Sequence, residues 1–534
     1  MGGWDWESAA RALGAGRDGS FNAGAIPLTQ RCAVIWERAD GTCEHVAGAE
    51  LHDRAQRIAG ALAGFGVGRG DRVAGLLGRR PEAFALPLAL WRLGAIYVPL
   101  FSGFGADAIA VRLNDSGARV LVADAGNLAA AAGARERVPG LAVLAAGEPD
   151  ERADTDLDAL AGGATVPAVC ATRLEAPATI MYTSGTSGAP KGCVIPHRGI
   201  VSLVPYVRHG LGLTPGEVLF STADTGWSFG LYTTGLVPLA CGATRVLYEP
   251  SFEAAGWWAA ARRHGAGHLA SAPTGFRQLA AAGAAAFGGG GLPVRAATSA
   301  GEPLTPEVVG WFEDELDVTI HDSYGLTELG MLLANLRGPD ALEPRRGSMG
   351  VEVPGFAVQV LDADGRSVAD GAVGRLAVRD DGWFLGSTYW NREAEWGRRM
   401  AEGWWLTEDL ARRDADGRHW YVARADDVIV TAGYNVGPAE VEAALLEHPL
   451  IRDVACVSEP DERKGQVLVA HVVLVAGADG DRSALLDALR PWVGERVGWH
   501  AAPRRVHVHD ELPRTESGKL VRRRLRERGE RPPR

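Results

Sequence analysis

The chain has 534 residues, 46% of them hydrophobic and 23% charged, and a formal net charge of −11. That length holds a large, subdivided globular body with ample core, and the acidic balance argues against a nucleic-acid surface. No apolar run reaches the roughly 18 residues a membrane span needs. The opening, MGGWDWESAARALG, has neither the basic start nor the apolar centre of an export signal, so the cytoplasm is the expected compartment. Cys32, Cys43, Cys170, Cys193, Cys241 and Cys456 are scattered without C-x-x-C spacing, which favours reduced thiols over disulfides or zinc.

From about residue 34 to 175, apolar β-like runs alternate with Ala/Leu-rich helical ones. Strands are expected over 72–77 and 120–124, and helices over 51–62 and 82–93. Such alternation implies parallel strands with helices packed on both faces. Gly14, Gly16 and Gly19 fit G-x-G-x-x-G, but they follow a helical stretch rather than a strand, which argues against a dinucleotide fingerprint. The acidic, small-residue stretch 148–166 reads as a surface connection.

A β-type run over 178–183 leads into YTSGTSGAPKG, residues 182–192, the stretch on which the rest depends. Glycines such as Gly185 and Gly188 let backbone N–H groups turn inward toward an anion. Thr183, Ser184, Thr186 and Ser187 add hydroxyl donors, and Lys191 adds a full positive charge. This is not a Walker A loop, because Pro190 precedes the lysine and Gly192 follows it. A flexible polar connection would use the same residue types, so the stretches downstream have to decide.

Downstream come ADTGW (223–227), APTGFR (272–277), SAGEPL (299–304) and, after a helix and a strand expected over 318–320, DSYGLTE (322–328). GWWLTEDL (403–410) and ARADDVIVTAGYNVGPAEVE (423–442) follow, and LPRTESGKL (512–520) lies near the end. After about residue 429 the character changes. A helix over 438–447, strands over 451–457 and 467–475, another helix and a last strand over 505–509 suffice for a small α+β domain. His264 and His268 are four apart but flanked by glycines, and His507 and His509 alternate in a strand-like run; both pairs read as ordinary histidines rather than metal ligands. The basic tail 522–534 reads as a solvated helix end.

In this order, the stretches resemble the adenylate-forming superfamily, which comprises acyl-CoA synthetases, peptide-synthetase adenylation domains and luciferases. The resemblance runs from about residue 34 to 526, and the segments around Trp227 and 272–277 are most similar to short- and medium-chain acyl-CoA synthetases. It implies an α/β fold: a large N-terminal domain of mixed and parallel sheets layered with helices (1–422), a hinge (423–428) and a small, mobile C-terminal α+β domain (429–534). It also implies ATP, Mg²⁺ and CoA as reactants, with a small carboxylic acid.

The resemblance assigns roles residue by residue. Residues 183–188 and Lys191 would hold phosphate. Gly301, Glu302, Pro303 and Tyr324 would frame adenine, with Asp322, Ser323 and Gly325 beside them. Thr327 would meet a phosphate and Glu328 would help hold Mg²⁺, a hard cation that suits carboxylate oxygen. Asp409 and Arg424 would contact ribose, Asp426 would be the hinge, Gly433 would run beside the thiol arm of CoA, and Lys519 would be the catalytic lysine. Trp227 and Gly325 would border the acyl group.

Strict acetyl-CoA synthetases resemble this chain but carry Trp at the position of Gly325, so a glycine there implies room beyond acetate and leaves short to medium aliphatic or small aromatic acids open. Other departures are Glu408 and Ala423 for Gly, Leu326 for Gln, and Asn435 for Arg. The implied activity is an AMP-forming acyl-CoA ligase. Two alternatives stay open: an adenylating enzyme that serves a carrier protein or amine, or activates an anion such as nitrite, without CoA; and a non-catalytic nucleotide-binding protein.

Overall fold

A computed structural model describes residues 4–529, except 163, 184–189, 289–290, 303, 426, 428, 432–433, 462–464, 479–480 and 515–519. The N-terminal part is built on an 8-stranded and a 14-stranded sheet. In the smaller sheet, the strands Arg72–Leu76, Ile96–Pro99, Val120–Asp124 and Ala142–Ala146 run parallel. They read as nearly continuous apolar runs because helices cover both faces. The helix Glu82–Arg92 is buried all round from 83 to 91, and the Phe84, Leu86, Leu88 and Leu90 side chains are fully inaccessible. Each such burial is worth about 1.5–3 kcal/mol. Trp91 on this helix donates its indole N–H to the Ala178 carbonyl at 2.8 Å, tying the helix to the strand Pro177–Thr183 that leads into the glycine-rich loop.

That loop connects a β-hairpin: Pro177–Thr183 pairs antiparallel with Lys191–Pro196, and Thr183 faces Lys191. A Walker loop opens a helix, so the topology excludes that reading independently of the residue pattern. In the larger sheet, Val218–Ser221, His268–Ser271, Ala296–Ala300 and Ile320–Leu326 run parallel, while Gly330–Ala334 returns antiparallel. Trp404–Arg413 and His419–Arg424 lie further along the same sheet.

Beyond Arg424 the small domain carries its own 3-stranded sheet, in which Ile451–Asp461 pairs antiparallel with Gly465–Leu474 and the latter pairs parallel with Arg505–Val508. The helices Pro438–Leu446 and Arg482–Arg496 close one face over Cys456, Leu468 and Ala470. Leu512 and Leu525 pack on the other face, against Val457 and Val469. Among the described residues no helix is long and apolar enough to cross a membrane.

Three expectations need correction. The stretch 148–166 is more than a surface connection: Thr155–Asp156 adds a short strand to the smaller sheet and Leu157–Ala161 is helical, because Leu157 is drawn into the main core. The strand expected at 318–320 runs instead from Ile320 through Leu326, since pairing with Gly330–Ala334 extends it through the motif. The basic tail is not a free end. Its first turn is anchored where Arg522 pairs with Glu442 at 2.7 Å and with Asp427 at 3.6 Å, and Leu525 is fully buried.

Candidate active site

Ligands of open α/β sheets settle outside the carboxyl ends of the parallel strands. Here the carboxyl ends of both sheets face one cavity of about 860 Å³. The smaller sheet contributes Arg79, Phe101 and Thr183 to its wall, and the larger contributes Thr222, Trp227, Gly301, Glu302 and Gly325. Lys191, Thr327, Glu328, Asp409 and Arg424, drawn from distant parts of the sequence, line the same space.

The polar wall is held by short contacts. Asp409 and Arg424 are register partners on adjacent antiparallel strands, which explains how residues fifteen apart in sequence serve one place. Asp409 is 6% exposed, accepts a hydrogen bond from the Tyr324 hydroxyl and has its own N–H bonded to the Thr407 hydroxyl. Burial, and then the charge of Asp409, raise the Tyr324 phenol well above its ordinary pKa, so it acts as a neutral donor. Glu328 accepts a 2.7 Å hydrogen bond from Tyr389, whose phenol is likewise held protonated by burial and by Glu328. Thr327 lies 3.2 Å from the Ser228 hydroxyl. Lys191 forms an ion pair with Glu395, and its ammonium stands 5.6 Å from the centre of the Tyr389 ring. Gly301 takes φ +99°, in the left-handed region that side chains rarely adopt, at the turn leaving the strand Ala296–Ala300.

Glu328 and Thr327 put a carboxylate and a hydroxyl side by side on the cavity wall, both hard oxygen ligands of the kind Mg²⁺ takes.

The apolar wall is built differently. Trp227 lies in an aromatic group with Phe101 and Phe104, ring centres 5.5 and 6.2 Å away. The turn carrying it is locked by Asp224, which accepts from the Gly226 N–H at 2.7 Å and from the Ser102 hydroxyl. Burial raises the Asp224 pKa. Phe229, Met331 and Leu385 continue the wall.

At Gly325 the backbone itself requires the glycine. A Cβ there would stand 2.4 Å from the Gly330 carbonyl oxygen and 2.8 Å from the Met331 sulfur, at a register shift between Tyr324 and Gly325. The backbone of the neighbouring strand closes the space a side chain would take. The apolar end of the cavity is therefore bounded by Met331 and the aromatic group as well as by Gly325.

Asp322, Ser323 and Tyr324 are not among the residues that line the cavity, and Tyr324 stands behind Asp409. Asp322 is 8% exposed, its carboxyl pushed up to about 8 by burial, and Ser323 accepts from the Tyr206 hydroxyl. Ser184, Gly185, Thr186, Ser187, Gly188, Pro303, Asp426, Gly433 and Lys519 lie outside the described residues. Sequence reasoning missed Arg79, Ser228, Phe229, Met331, Tyr389 and Arg399, all on the wall. None stands inside a quoted nucleotide motif, although Ser228 and Phe229 directly follow ADTGW. Glu408, noted only as a departure, joins Arg399 and Arg424 in an ion-pair bridge at the wall. His264 and His268 pair with different carboxylates, Glu37 and Glu217, as structural histidines do.

A crevice fed by two sheets, with a hairpin lysine, an acidic residue beside a hydroxyl and a facing Asp–Arg pair, has the charged groups that an anionic nucleotide requires. Residues 28–390 match the AMP-binding enzyme family, and residues 440–519 match its C-terminal domain. The acetyl-coenzyme A synthetase of Streptomyces avermitilis is 34% identical, over 93% of this chain and 80% of that protein. Among solved structures, the Brucella canis acyl-CoA synthetase is 35% identical with a TM-score of 0.76, covering 98% of this chain and 97% of its own. The anthranilate CoA ligase AuaEII, solved with anthranoyl-AMP, is 25% identical with a TM-score of 0.85, covering 96% and 97%. The chain belongs to the AMP-binding enzyme family, among its AMP-forming acid–CoA ligases.

Proposed function

We propose that this enzyme activates a short-chain aliphatic monocarboxylic acid, acetate or an acid a few carbons longer, as its acyl-AMP and transfers the acyl group to CoA. The observation that carries this reading is the single cavity whose polar wall holds Lys191, Thr327, Glu328, Asp409 and Arg424 and whose apolar wall holds Trp227, Phe229 and Met331. Likeness to acetyl-coenzyme A synthetases supports the short chain. Small aromatic acids are not carried forward.

In the first step a carboxylate oxygen attacks the α-phosphorus of ATP, and the bond to pyrophosphate breaks. Both reactants are anions, so the protein's work is positioning and charge offset. Asp409 would accept from ribose hydroxyls, with Tyr324 fixing its orientation. Arg424, now bridged to Glu408, would turn to the nucleotide, and Lys191 would exchange Glu395 for phosphate oxygen. Glu328 and Thr327 would hold Mg²⁺, which when bound offsets phosphate charge. Lys519 supplies a further positive charge to the adenylation transition state. In the second step the small domain turns about a hinge at Asp426, Lys519 leaves, and the segment at Gly433 lines the approach of the CoA thiol, which attacks the acyl carbonyl and expels AMP.

The test is pyrophosphate release from ATP and Mg²⁺ over a panel of acids, including aromatic acids and nitrite, each with and without CoA. Multiple turnover only with CoA and a short aliphatic acid, yielding an acyl-CoA of matching mass, is expected. Turnover without CoA, or only with an amine or carrier protein, would refute the ligase, and preference for an aromatic acid would refute the substrate class.

A further inference from the structure

The small domain holds a second cluster of chemistry-bearing side chains, which no step above uses. His471 and His507 are register partners on the adjacent parallel strands Gly465–Leu474 and Arg505–Val508, so their side chains leave the same face of the sheet. Their ring centres are 4.9 Å apart. Glu459, on the third strand, Ile451–Asp461, reaches the same place, its Oε1 standing 3.4 Å from His507 Nε2. One ligand atom from each of Glu459, His471 and His507 lies within 4.8 Å of the other two.

The cluster is interior. Glu459 is 5% exposed and His471 1%. Arg505 donates to Glu459 Oε2 at 2.6 Å, while the buried Oε1 makes no hydrogen bond and faces the imidazoles. Arg505 balances the carboxylate charge from outside, while on the inner side the oxygen and the two imidazoles converge and one proton can join only two of the three groups.

We propose that Glu459, His471 and His507 form a site for a divalent transition-metal ion of the Zn²⁺ type. Two imidazoles and a carboxylate are a donor set that Zn²⁺ takes with a fourth position open to water. Tetrahedral bonds of about 2.0–2.1 Å place ligand atoms roughly 3.3 Å apart, close to the Glu459–His507 separation. The remaining atoms, within 4.8 Å of one another, would draw together on binding. His471 Nδ1 lies 2.9 Å from His509 Nε2, and with His471 as the donor in that contact its Nε2 is the basic nitrogen, the arrangement that orients metal-binding histidines. Arg505 is the opposing charge, and it stays on the outer carboxylate oxygen, where it fixes the direction of the inner one. The ion would join the small domain's sheet across its strands, apart from the Mg²⁺ that accompanies ATP.

The experiment uses the metal-free, full-length enzyme without ATP and titrates it with Co²⁺, following visible absorption and equilibrium dialysis. One Co²⁺ per chain is expected, displaced by Zn²⁺ but not by a large excess of Mg²⁺. Glu459→Gln and His507→Ala should each weaken binding by at least about tenfold, because even groups that only orient a ligand cost that much. Glu459→Gln keeps the side chain's shape, and unchanged pyrophosphate release in both variants shows that they fold. Absence of saturable Co²⁺ binding, displacement by Mg²⁺, or equal binding by the wild type and both variants would overturn the proposal.

Discussion

The polar wall of the cavity, the nucleotide wall of the proposed function, and the apolar wall, its proposed acyl wall, are made of different physical material. Along the nucleotide wall, each polar group is held by a named partner: Asp409 by Tyr324, Glu328 by Tyr389, Lys191 by Glu395, and Arg424 by Glu408. Those contacts are directional, so a change of one group should be felt as a change in rate or in ATP affinity. The acyl wall is a matter of shape, formed where Trp227, Phe229, Met331 and Leu385 meet from separate segments. Changes there should be felt as altered packing and substrate size. An enzyme that tells acids apart by an apolar surface can discriminate a methylene by only about 1–3 kcal/mol, whereas its charged groups have much larger effects on the chemistry.

The strongest way to break the contrast lies outside the wall. Lys519→Ala should lower acyl-AMP formation by roughly 10²-fold or more, the scale of losing one transition-state charge donor, while thioester formation from supplied acyl-AMP survives. Equal loss in both half-reactions would remove the domain rotation from the account. Asp409→Ala should raise the KM for ATP about 10- to 100-fold, as expected for hydrogen bonds to a charged group, with the KM for the acid much less affected. A parallel rise in both would mean that the two walls are not separable.

On the other wall, Gly325→Ala should destabilise the fold by about 1–3 kcal/mol, the cost of overpacking, because its Cβ meets the Gly330 carbonyl oxygen at 2.4 Å. A thermal midpoint equal to wild type would show that the strand gives way easily and that the glycine serves substrate size alone. Behind the nucleotide wall, Asp322 has its folded pKa raised by burial to about 8, above the unfolded value of 3.8. The folded state therefore holds a proton that the unfolded state has lost. Stability from this group is fully present below about pH 4 and falls by up to about 1.4 kcal/mol per pH unit until about pH 8. Asp322→Asn should remove that slope, which denaturant midpoints across pH would read; an unchanged slope would refute the assignment. The smallest effect is expected from Glu408→Ala, which releases Arg399 and Arg424 and should change the KM for ATP by less than about tenfold, since exposed ion pairs contribute little.

The nucleotide wall was legible because its groups sit in short contiguous words. Thr183 and Lys191 flank one loop, Thr327 and Glu328 are adjacent, and Asp409 closes a β-strand phrase. Chemistry of this kind requires particular residue types at fixed local spacing, so the chain itself carries the signal. Parallel strands alternating with helices were legible for a similar reason, since buried strands must read as apolar runs.

What only the tertiary structure decided is whatever depends on register between strands and on backbone approach. The pairing of Asp409 with Arg424, the closing of Gly325 by its neighbour strand, and the meeting of Glu459 with His471 and His507 each depend on the register between adjacent strands, which residue spacing alone does not show. His507 and His509 read as ordinary histidines because their spacing shows nothing of His471, which the parallel register sets beside His507. Local sequence determines which groups a segment carries and which face they take, whereas the summed packing of the sheets determines which of those groups share a cavity or a sheet face.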